Sequence, residues 1–463
     1  MSESIRYYST NRILDTGKTA APPAGTVSFR EALLMGQAPD EGLFMPERIP
    51  EISPGDITAL RNRPYTEAAM LVAGAFLRGE IPETALRSIV GSAYPFAVPL
   101  EKVADRNYVL RLDQGPTASF KDFAARLMAR LMGHFKGAGN RLNVLVATSG
   151  DTGSAVGDAF RGVEGIRVFI LYPRDEVSGR QQKQLDTIGA NVQAISLDGK
   201  FDDCQNLVKQ AFADPALAGL NLTSANSINF GRILPQIVYY VYAYGQLAER
   251  GEGIVFSVPS GNFGNALGCE YARRMGLPVK KLVMPTNEND EFPKYLETGR
   301  YEKVSPSRAC LSNAMNVGHP SNLARFFELY GGTVDRSGTV YRYPDRSRMR
   351  ENIFSVSVSD RETLETIRRV YDRYGVILEP HGAVGWRGLE IYLRQAGDAG
   401  LCVSLETAHP AKFPEEIRKT IGIDPELPES MKGLDRKTGE ADPMSNDYSQ
   451  FRNYLLRRLE KGN

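Results

Sequence analysis

The chain has 463 residues, of which 42% are hydrophobic and 24% charged, the balance of globular domains. This length allows two or three domains with large cores. A formal net charge of +1 gives no global electrostatic basis for binding nucleic acid or a membrane surface. No apolar run reaches the length of a bilayer span, and residues 1–12 lack the apolar core of a secretory signal. We therefore expect a cytoplasmic protein with no nucleic-acid partner and no membrane partner.

Residue types that commonly bind metals are scattered along the sequence. The cysteines form no CxxC pair, and no two histidines have the spacing of metal ligands on one element. The sequence predicts reduced, mostly buried thiols and no metal site. The residues in question are Cys204, Cys269, Cys310, Cys402, His134, His319, His381 and His409.

Residues 1–100 are predicted to form a separate N-terminal module. Ser28 is placed to cap a helix that begins at the next residue, and two further helical patterns cover 66–77 and 82–90. No residue here has the type or spacing of a catalytic group. We expect the module to serve packing or oligomer formation.

Residues 101–424 alternate between strand-like and helical patterns. Short apolar strands are predicted at 108–112, 144–148, 168–172, 192–196, 254–258, 281–284 and 401–405. This alternation is typical of an α/β fold, with two open parallel-sheet domains covered by helices, the smaller at roughly 135–230. The polar stretch 331–350 reads as a surface excursion. Residues 425–463 are predicted to be a charged tail that ends in a helix at 451–459.

The stretch from Gly115 to Phe123 predicts a loop that leads into a helix. Gly115-Pro116 marks the loop, and the apolar residues that follow have helical spacing with one buried stripe. Lys121 is therefore placed in the first turn, where the helix N-terminus and burial favour a lowered pKa. A neutral lysine amine forms a Schiff base with a carbonyl, as pyridoxal phosphate (PLP) enzymes require. The alternative is a solvated lysine at a helix start.

Two glycine-rich turns, at 146–154 and 258–265, each follow a predicted strand and open a helix. Their glycines allow a close backbone approach, and the helix amides favour an anion. Two such turns indicate two anions, or one ligand with two anionic ends; the alternative is a pair of ordinary βα turns. A carboxylate at Asp151 would repel an anion, so we expect Asp151 to cap neighbouring amides, with or without a ligand nearby.

Two further polar clusters lie at predicted element ends. Asn226, Ser227 and Arg232 precede a long apolar helix at 233–247 and suit a phosphate. Taken alone, however, the segment favours the alternative, a capped helix with a surface arginine. Thr407 follows the last strand, at the edge where open α/β sheets bind ligands. His381 is expected to be a structural helix cap.

Together these motifs resemble the threonine synthases, of the branch with an extended N-terminal domain, over nearly the whole chain. Ser119-Phe120-Lys121-Asp122 is similar to the PLP-lysine motif of the fold-type II (tryptophan synthase β-like) PLP enzymes. Residues 148–153 (Thr-Ser-Gly-Asp-Thr-Gly) and 407–413 (Thr-Ala-His-Pro-Ala-Lys-Phe) are more specific to threonine synthases. Five motifs in the right order carry the resemblance.

The resemblance implies a role for each motif. Lys121 would bind PLP as a Schiff base and then move protons, and Thr407 would face the pyridine nitrogen and leave it unprotonated. The cofactor phosphate would be held by Ser260, Gly261, Asn262, Phe263, Gly264 and Asn265. The substrate carboxylate would lie beside Ser149, Asp151 and Thr152, and the substrate phosphate beside Asn226, Ser227 and Arg232. Many fold-type II relatives carry Asn where Asp151 stands, so a contact of residue 151 with the cofactor is left open.

The implied reaction converts O-phospho-L-homoserine and water to L-threonine and phosphate, the last step of threonine biosynthesis. Two rivals share these motifs. One is a threonine synthase-like phospho-lyase that converts O-phosphothreonine or O-phosphoserine to a keto acid and phosphate. The other is a non-catalytic protein that kept the fold. The resemblance is compatible with a monomer or a homodimer.

Overall fold

The computed structural model describes residues 4–14, 25–397 and 400–460. The N-terminal module begins with a two-stranded antiparallel sheet and continues in short helices. The capping box predicted from Ser28 is present, because Ser28 and Glu31 exchange side-chain and backbone hydrogen bonds. In chain order the elements are β1 (Tyr7–Ser9), α1 (Phe29–Met35), β2 (Phe44–Pro46), α2 (Pro54–Thr58), α3 (Tyr65–Leu77) and α4 (Glu83–Ala93).

The remaining strands and helices alternate through most of the chain, as the sequence predicts. The strands are β3 (Leu100–Ala104), β4 (Asn107–Arg111), β5 (Leu142–Ala147), β6 (Ile166–Pro173), β7 (Val192–Asp198), β8 (Leu222–Ser224), β9 (Ile254–Ser257), β10 (Val279–Val283), β11 (Thr333–Val334), β12 (Val340–Arg342), β13 (Ile353–Phe354), β14 (Leu401–Glu406) and β15 (Asp442–Ser445). The helices are α5 (Lys121–Phe135), α6 (Asp151–Phe160), α7 (Gly179–Asp186), α8 (Phe201–Ala213), α9 (Leu234–Leu247), α10 (Gly264–Arg274), α11 (Glu291–Thr298), α12 (Leu323–Leu329), α13 (Arg346–Asn352), α14 (Asp360–Tyr374), α15 (Pro380–Ala396), α16 (Pro414–Ile421) and α17 (Tyr448–Glu460).

The larger sheet has six strands in the order β13-β10-β9-β14-β4-β3. Its neighbours are parallel except for β3 and β4, which pair as antiparallel strands. All seven strands predicted from the sequence are present in this sheet or in the smaller one. Among the strands of this sheet, β14 comes last in the sequence, yet it lies in the interior of the sheet between β9 and β4.

The smaller sheet has five parallel strands in the order β15-β7-β6-β5-β8. Its edge strand β15 belongs to the C-terminal tail, for which the sequence predicted only a helix. That helix is α17, and it packs on α8 with apolar contacts through Phe451 and Leu455. The tail is therefore part of the smaller sheet domain. The division into a module at 1–100, an α/β region at 101–424 and a tail at 425–463 stays a prediction.

One continuous apolar core joins the N-terminal module to the sheet domains. Helix α3 packs along α9, and the ring of Tyr65 contacts Tyr94, Phe123 and Tyr242 edge to face. The predicted excursion at 331–350 holds the β11–β12 hairpin and α13, with Tyr341 exposed at the hairpin. Among the described residues no helix is long and apolar enough to cross a membrane, and no cluster of His, Cys, Asp or Glu has the arrangement of a metal site.

Candidate active site

Lys121 opens α5 beside the loop that follows the central strand β14. The amide of Phe120 donates to the carbonyl of Thr407 at 2.9 Å, and the amide of His409 donates to the carbonyl of Ala118 at 3.0 Å. These two hydrogen bonds join the segment before Lys121 to the segment at Thr407. The structure therefore brings together two predicted site residues that are far apart in the sequence.

Asp122 fixes the turn that precedes Lys121. Its carboxylate accepts hydrogen bonds from the amide of Thr117 at 2.9 Å and from the hydroxyl of Thr117 at 2.7 Å. A side chain on Gly115 would clash with this carboxylate, because its Cβ would lie 2.4 Å from Asp122 Oδ2. Burial raises the pKa of Asp122 to about 6. The Gly-Pro turn read from the sequence is thus held against the first turn of α5.

The Lys121 amine is largely buried, with 14% of its side chain exposed. Burial lowers its pKa, and the charges of Lys412 and Arg232 lower it further, whereas the carboxylates of Asp151 and Glu379 oppose the shift. The lowered pKa enlarges the fraction of neutral amine, which is the form that attacks a carbonyl. The alternative of a solvated lysine is therefore wrong.

Asp151 does not cap amides, so that prediction is wrong. Its carboxylate Oδ1 lies 2.6 Å from Lys412 Nζ and accepts a hydrogen bond from Gln181 at 3.0 Å, while Oδ2 lies 3.8 Å from Lys121 Nζ. Burial raises the pKa of Asp151, but the charges of Lys412 and Lys121 outweigh burial and hold the pKa well below its usual range. The carboxylate is thus turned to the lysines and leaves the amides of its own turn open.

Thr148 performs the capping at the turn that opens α6. Its hydroxyl accepts from the amides of Gly150 at 3.0 Å and Gly153 at 2.8 Å. Gly150 is required at the bend, since its φ is 128° and a Cβ would lie 2.6 Å from the Gln181 side chain. The remaining amides of the turn donate to no acceptor in the described part of the chain; they belong to Ser149, Asp151 and Thr152. A helix start with free amides suits a carboxylate.

The second turn, residues 260–265, links β9 to α10 and has the same character. Gly261 lies against a neighbouring loop, because its Cβ would come within 2.9 Å of the Ala314 carbonyl. Phe263 adopts a left-handed conformation, with φ of 61°, immediately before the helix. The free amides at this turn, within the described residues, are those of Gly261, Asn262, Phe263, Gly264 and Asn265. Five amides at a helix N-terminus are the donor set of a phosphate site.

Asn265 adds a side-chain donor to that turn. The hydroxyls of Tyr239 and Tyr240 both donate to Asn265 Oδ1, at 2.5 and 2.6 Å. Asn265 Nδ2 is buried and has no partner in the described residues. Ser260 is engaged in the fold instead: its amide donates to the Pro285 carbonyl at 3.0 Å. A buried amide donor left free beside open backbone amides fits a phosphate oxygen.

The 226–232 segment places Arg232 inside the protein, so the alternative of a surface arginine is wrong. Arg232 donates from Nη1 to the Ala225 carbonyl at 2.9 Å, and its buried Nε has no partner in the part of the chain described. Burial lowers the pKa of Arg232 to about 10, so the group stays charged at neutral pH. Asn226 donates from Nδ2 to the Ala147 carbonyl at 2.9 Å, which ties the segment to the end of β5.

Three residues before and within α12 join this segment to the 260–265 turn, and the sequence analysis missed them. Ser321 donates its hydroxyl to Asn262 Oδ1 at 3.0 Å and lies 3.4 Å from the Ser227 hydroxyl. Asn322 donates from Nδ2 to the carbonyls of Asn262, at 3.1 Å, and Ser227, at 3.3 Å. The third residue is Arg325. The His-Pro-Ser-Asn run that holds two of them was the signal available, but nothing in its spacing indicates a partner.

Arg325 is fully buried and makes four hydrogen bonds. It donates to the carbonyls of Phe44 at 3.0 Å, Ser227 at 3.2 Å and Ile228 at 2.7 Å, and to Asn322 Oδ1 at 2.7 Å. Burial lowers its pKa to about 10. Because Phe44 lies in β2, this guanidinium group links the N-terminal module to the site.

Glu379, which the sequence analysis did not single out, anchors the region behind Thr407. Its carboxylate accepts from the amides of His381 at 2.8 Å and Gly382 at 3.0 Å, so Glu379 caps α15 and the expected cap at His381 is wrong. His381 bridges instead, with Nδ1 2.5 Å from Glu379 and Nε2 accepting from the Ala314 amide at 3.1 Å. The Thr407 hydroxyl donates to Glu379 Oε1 over 3.4 Å. This long bond leaves the hydroxyl able to turn toward a ligand.

Glu406, adjacent to Thr407, is a second buried carboxylate in this region. It accepts from the Glu379 amide at 2.7 Å and lies 3.7 Å from Arg111 Nη1. Burial raises the pKa of Glu406 well above its usual range, and the neighbouring Glu379 raises it further, while Arg111 opposes both. Gly382 packs directly on this carboxylate, because its Cβ would lie 1.6 Å from Glu406 Oε2.

Family models match three consecutive parts of the chain. The model of pyridoxal-phosphate dependent enzymes matches residues 97–405, that of the threonine synthase N terminus matches residues 15–94, and that of the threonine synthase C-terminal region matches residues 382–455. The first alone covers more than half of the chain. These matches do not favour either rival, the phospho-lyase or the non-catalytic protein that kept the fold.

Individual relatives and solved structures agree with the family models. The threonine synthase of Haemophilus influenzae is 40% identical over 94% of this chain and 98% of its own length, and that of Escherichia coli is 39% identical over 88% and 91%. The crystal structure of PLP-bound threonine synthase from Brucella melitensis superposes with a TM-score of 0.88 at 35% identity, over 98% of this chain and all of the other. The chain therefore belongs to the threonine synthases, PLP-dependent enzymes of fold type II.

Proposed function

We propose that this chain converts O-phospho-L-homoserine and water to L-threonine and phosphate. The observation that carries the proposal is the arrangement of open anion-binding groups around the Lys121 amine. The 149–152 turn has free amides for a carboxylate, the 260–265 turn has free amides for the cofactor phosphate, and Arg232 has a free, buried Nε for a second phosphate. This donor set matches an amino acid that carries a phosphate at the end of its side chain.

The residues present fit PLP. Lys121 would hold the cofactor covalently, the 260–265 turn would hold its phosphate, and Thr407 would face its ring nitrogen. When bound, PLP supplies an electron sink that makes the substrate Cα proton acidic. The Thr407 hydroxyl would keep the ring nitrogen unprotonated only by turning its hydrogen away from Glu379, to which it now donates over 3.4 Å.

The chain's own groups supply the binding and the proton transfers. The amides of Ser149, Asp151 and Thr152 would bind the substrate carboxylate, and Arg232 with Ser227 would bind the leaving phosphate. Lys121 would take the proton from Cα, since burial lowers its pKa and so enlarges the fraction of neutral, proton-accepting amine. A second proton leaves Cβ, phosphate departs from Cγ, and Cγ takes up a proton. Water then adds its hydroxyl at Cβ and a proton returns to Cα, so that the atoms balance. Asn226 supports this arrangement from outside, through its bond to Ala147.

The test offers the purified protein O-phospho-L-homoserine in one tube and O-phospho-L-threonine in another. We expect threonine to form one-for-one with phosphate from the first compound. Formation of 2-oxobutyrate from O-phospho-L-threonine, with little threonine from the first tube, would overturn the proposal in favour of a phospho-lyase. Lys121→Ala should remove the absorbance of the lysine-bound cofactor and lower turnover by at least about a thousandfold.

The proposal for Arg232 has its own variant. Arg232→Met should raise KM for O-phospho-L-homoserine by about 10- to 100-fold, because a charge-assisted hydrogen bond is lost. Arg361→Met is the matched control, since Arg361 lies on the outer face of α14 with 83% of its side chain exposed. An unchanged KM in Arg232→Met would remove Arg232 from the phosphate site.

The proposal also covers the cellular location and the oligomeric state of the enzyme. We expect a cytoplasmic protein that is a monomer or a homodimer. Light scattering of the purified full chain measures the mass directly, and a tetramer would contradict this part.

A further inference from the structure

Lys412 is a second lysine in the site, and neither the sequence analysis nor the proposed reaction uses it. Its side chain is fully buried, its Nζ lies 2.6 Å from Asp151 Oδ1, and it donates to the Thr117 carbonyl at 3.0 Å. Both bonds run to segments that adjoin Lys121: Thr117 lies in the turn before it, and Asp151 faces it. Lys412 itself has no exposed surface from which to touch a ligand.

Asp151 has two oxygens, and Lys412 determines which way each one faces. Lys412 and Gln181 both bind Oδ1, which leaves Oδ2 directed at Lys121 Nζ over 3.8 Å. Without Lys412, the buried carboxylate would have one distant cation and one neutral amide as partners. A buried ion that loses its close partner either takes up a proton or turns toward another charge.

We propose that Lys412 is a positioning residue of the active site, which neutralises Asp151 and holds its carboxylate facing Lys121. The inference rests on the proposed function only in the role given to Lys121. When Lys121 is joined to a carbonyl its amine charge changes, and Asp151 then keeps one cation whose position does not depend on the chemistry. The pair of Asp151 and Lys412 thus presents a fixed acceptor at Lys121 without adding net charge to a site that binds anions.

Charged and polar groups from several elements surround the pair of Asp151 and Lys412. Lys121 is influenced by Asp151, Lys412, Arg232 and Glu379, and Asp151 by Lys412, Lys121 and Gln181. Lys412 also acts on Asp122 and on His409, whose pKa burial lowers to about 4, so that His409 is neutral at pH 7. Removing Asp151 or Lys412 therefore has opposite electrostatic effects on the Lys121 amine.

This opposition gives a test that does not depend on turnover. The full chain, freed of cofactor, is treated with formaldehyde and a borohydride across a range of pH, and methylation of Lys121 is followed by mass spectrometry. Only the neutral amine reacts, so the midpoint of the pH profile reports its ionisation. In Lys412→Met we expect the midpoint to rise, and in Asp151→Asn to fall, each by about one pH unit or more. The double variant should lie close to wild type.

A merely structural role predicts something different. Loosening the site admits water around Lys121, which relieves its burial and raises the midpoint in both single variants. A rise in Asp151→Asn, or a double variant that shifts as far as either single one, would overturn the proposal. If Lys412→Met gives no folded protein, Asp151→Asn and the double variant still decide between the two outcomes.

Conservative and distant controls complete the set. Lys412→Arg keeps the charge and should hold the midpoint within about half a unit of wild type. Lys432→Met removes an exposed lysine paired with Glu429 at 2.7 Å and should leave the midpoint unchanged. In loaded enzyme, Lys412→Met should lower kcat for O-phospho-L-homoserine more than it raises KM. If the methylation midpoints do not shift as expected but the wild-type protein still forms threonine, only the positioning role is refuted. If the wild-type protein forms no threonine, the proposed reaction is refuted.

Discussion

Replacing Arg325 by methionine should destabilise the protein and weaken substrate binding together. Arg325→Met removes four hydrogen bonds, namely those to the carbonyls of Phe44, Ser227 and Ile228 and to the side-chain oxygen of Asn322. At about 1 kcal/mol for each lost hydrogen bond, the free energy of unfolding falls by about 4 kcal/mol. Methionine is unbranched and of similar length, so no large cavity adds to this loss.

Urea unfolding followed by tryptophan fluorescence measures the change, because Trp386 is the single tryptophan of the sequence. The loss is the shift in midpoint multiplied by the slope of the transition. Arg361→Met is again the control: it loses one exposed pair at 3.8 Å and should change stability by less than about 0.5 kcal/mol. A loss below about 1 kcal/mol in Arg325→Met would refute this reasoning, because water would then replace the guanidinium group as donor to these acceptors.

The half-buried His409 and the closely packed Gly382 give two further predictions. The pKa of His409 is about 4 when folded and about 6.5 when unfolded, so its contribution to stability is full above pH 6.5 and is lost as pH falls toward 4. His409→Asn keeps an acceptor for the Ala411 amide. It should reduce the fall in the free energy of unfolding between pH 6.5 and 4.5 by about 1 to 2 kcal/mol, discounted for partial exposure; an unchanged fall would contradict the prediction. Gly382→Ala should cost about 3 kcal/mol or more, because its Cβ meets the buried Glu406 carboxylate. The matched control Gly91→Ala, in α4 with open space around it, should instead stabilise by about 0.5 to 1 kcal/mol, and equal effects of the two would refute the packing explanation.

The sequence predicted the sheet strands well because their signal is local. Each of the seven predicted strands is a short apolar run, and such runs are buried on both faces of parallel sheets. Strand β15 was missed since Asp442, Pro443 and Ser445 are not typical of strands, and it forms only by pairing along β7. Tertiary pairing, not local preference, makes that segment extended.

The glycine-rich turns of the candidate site could be located from the sequence, whereas its buried lysine–carboxylate pairs could not. Glycine-rich turns are recognisable from their residue types alone, so the sequence indicated the 149–152 and 260–265 turns. Lys412 was visible in a motif, but its partners are distant in the chain, as the sequence separation of 295 between Lys412 and Thr117 illustrates. The capping role expected of Asp151 failed for the same reason, because local sequence offers amides and only the fold offers lysines.

The position of the last strands has a consequence for synthesis on the ribosome. Translation delivers strands β1 to β13 before residues 401–406 emerge, yet β14 is the strand against which β9 and β4 pair. The edge of the smaller sheet waits still longer, for residues 442–445. Until then, both sheets present open strand edges to solvent, which is the condition under which nascent chains aggregate. A stalled or truncated product of this chain should therefore depend on chaperones far more than the finished enzyme does.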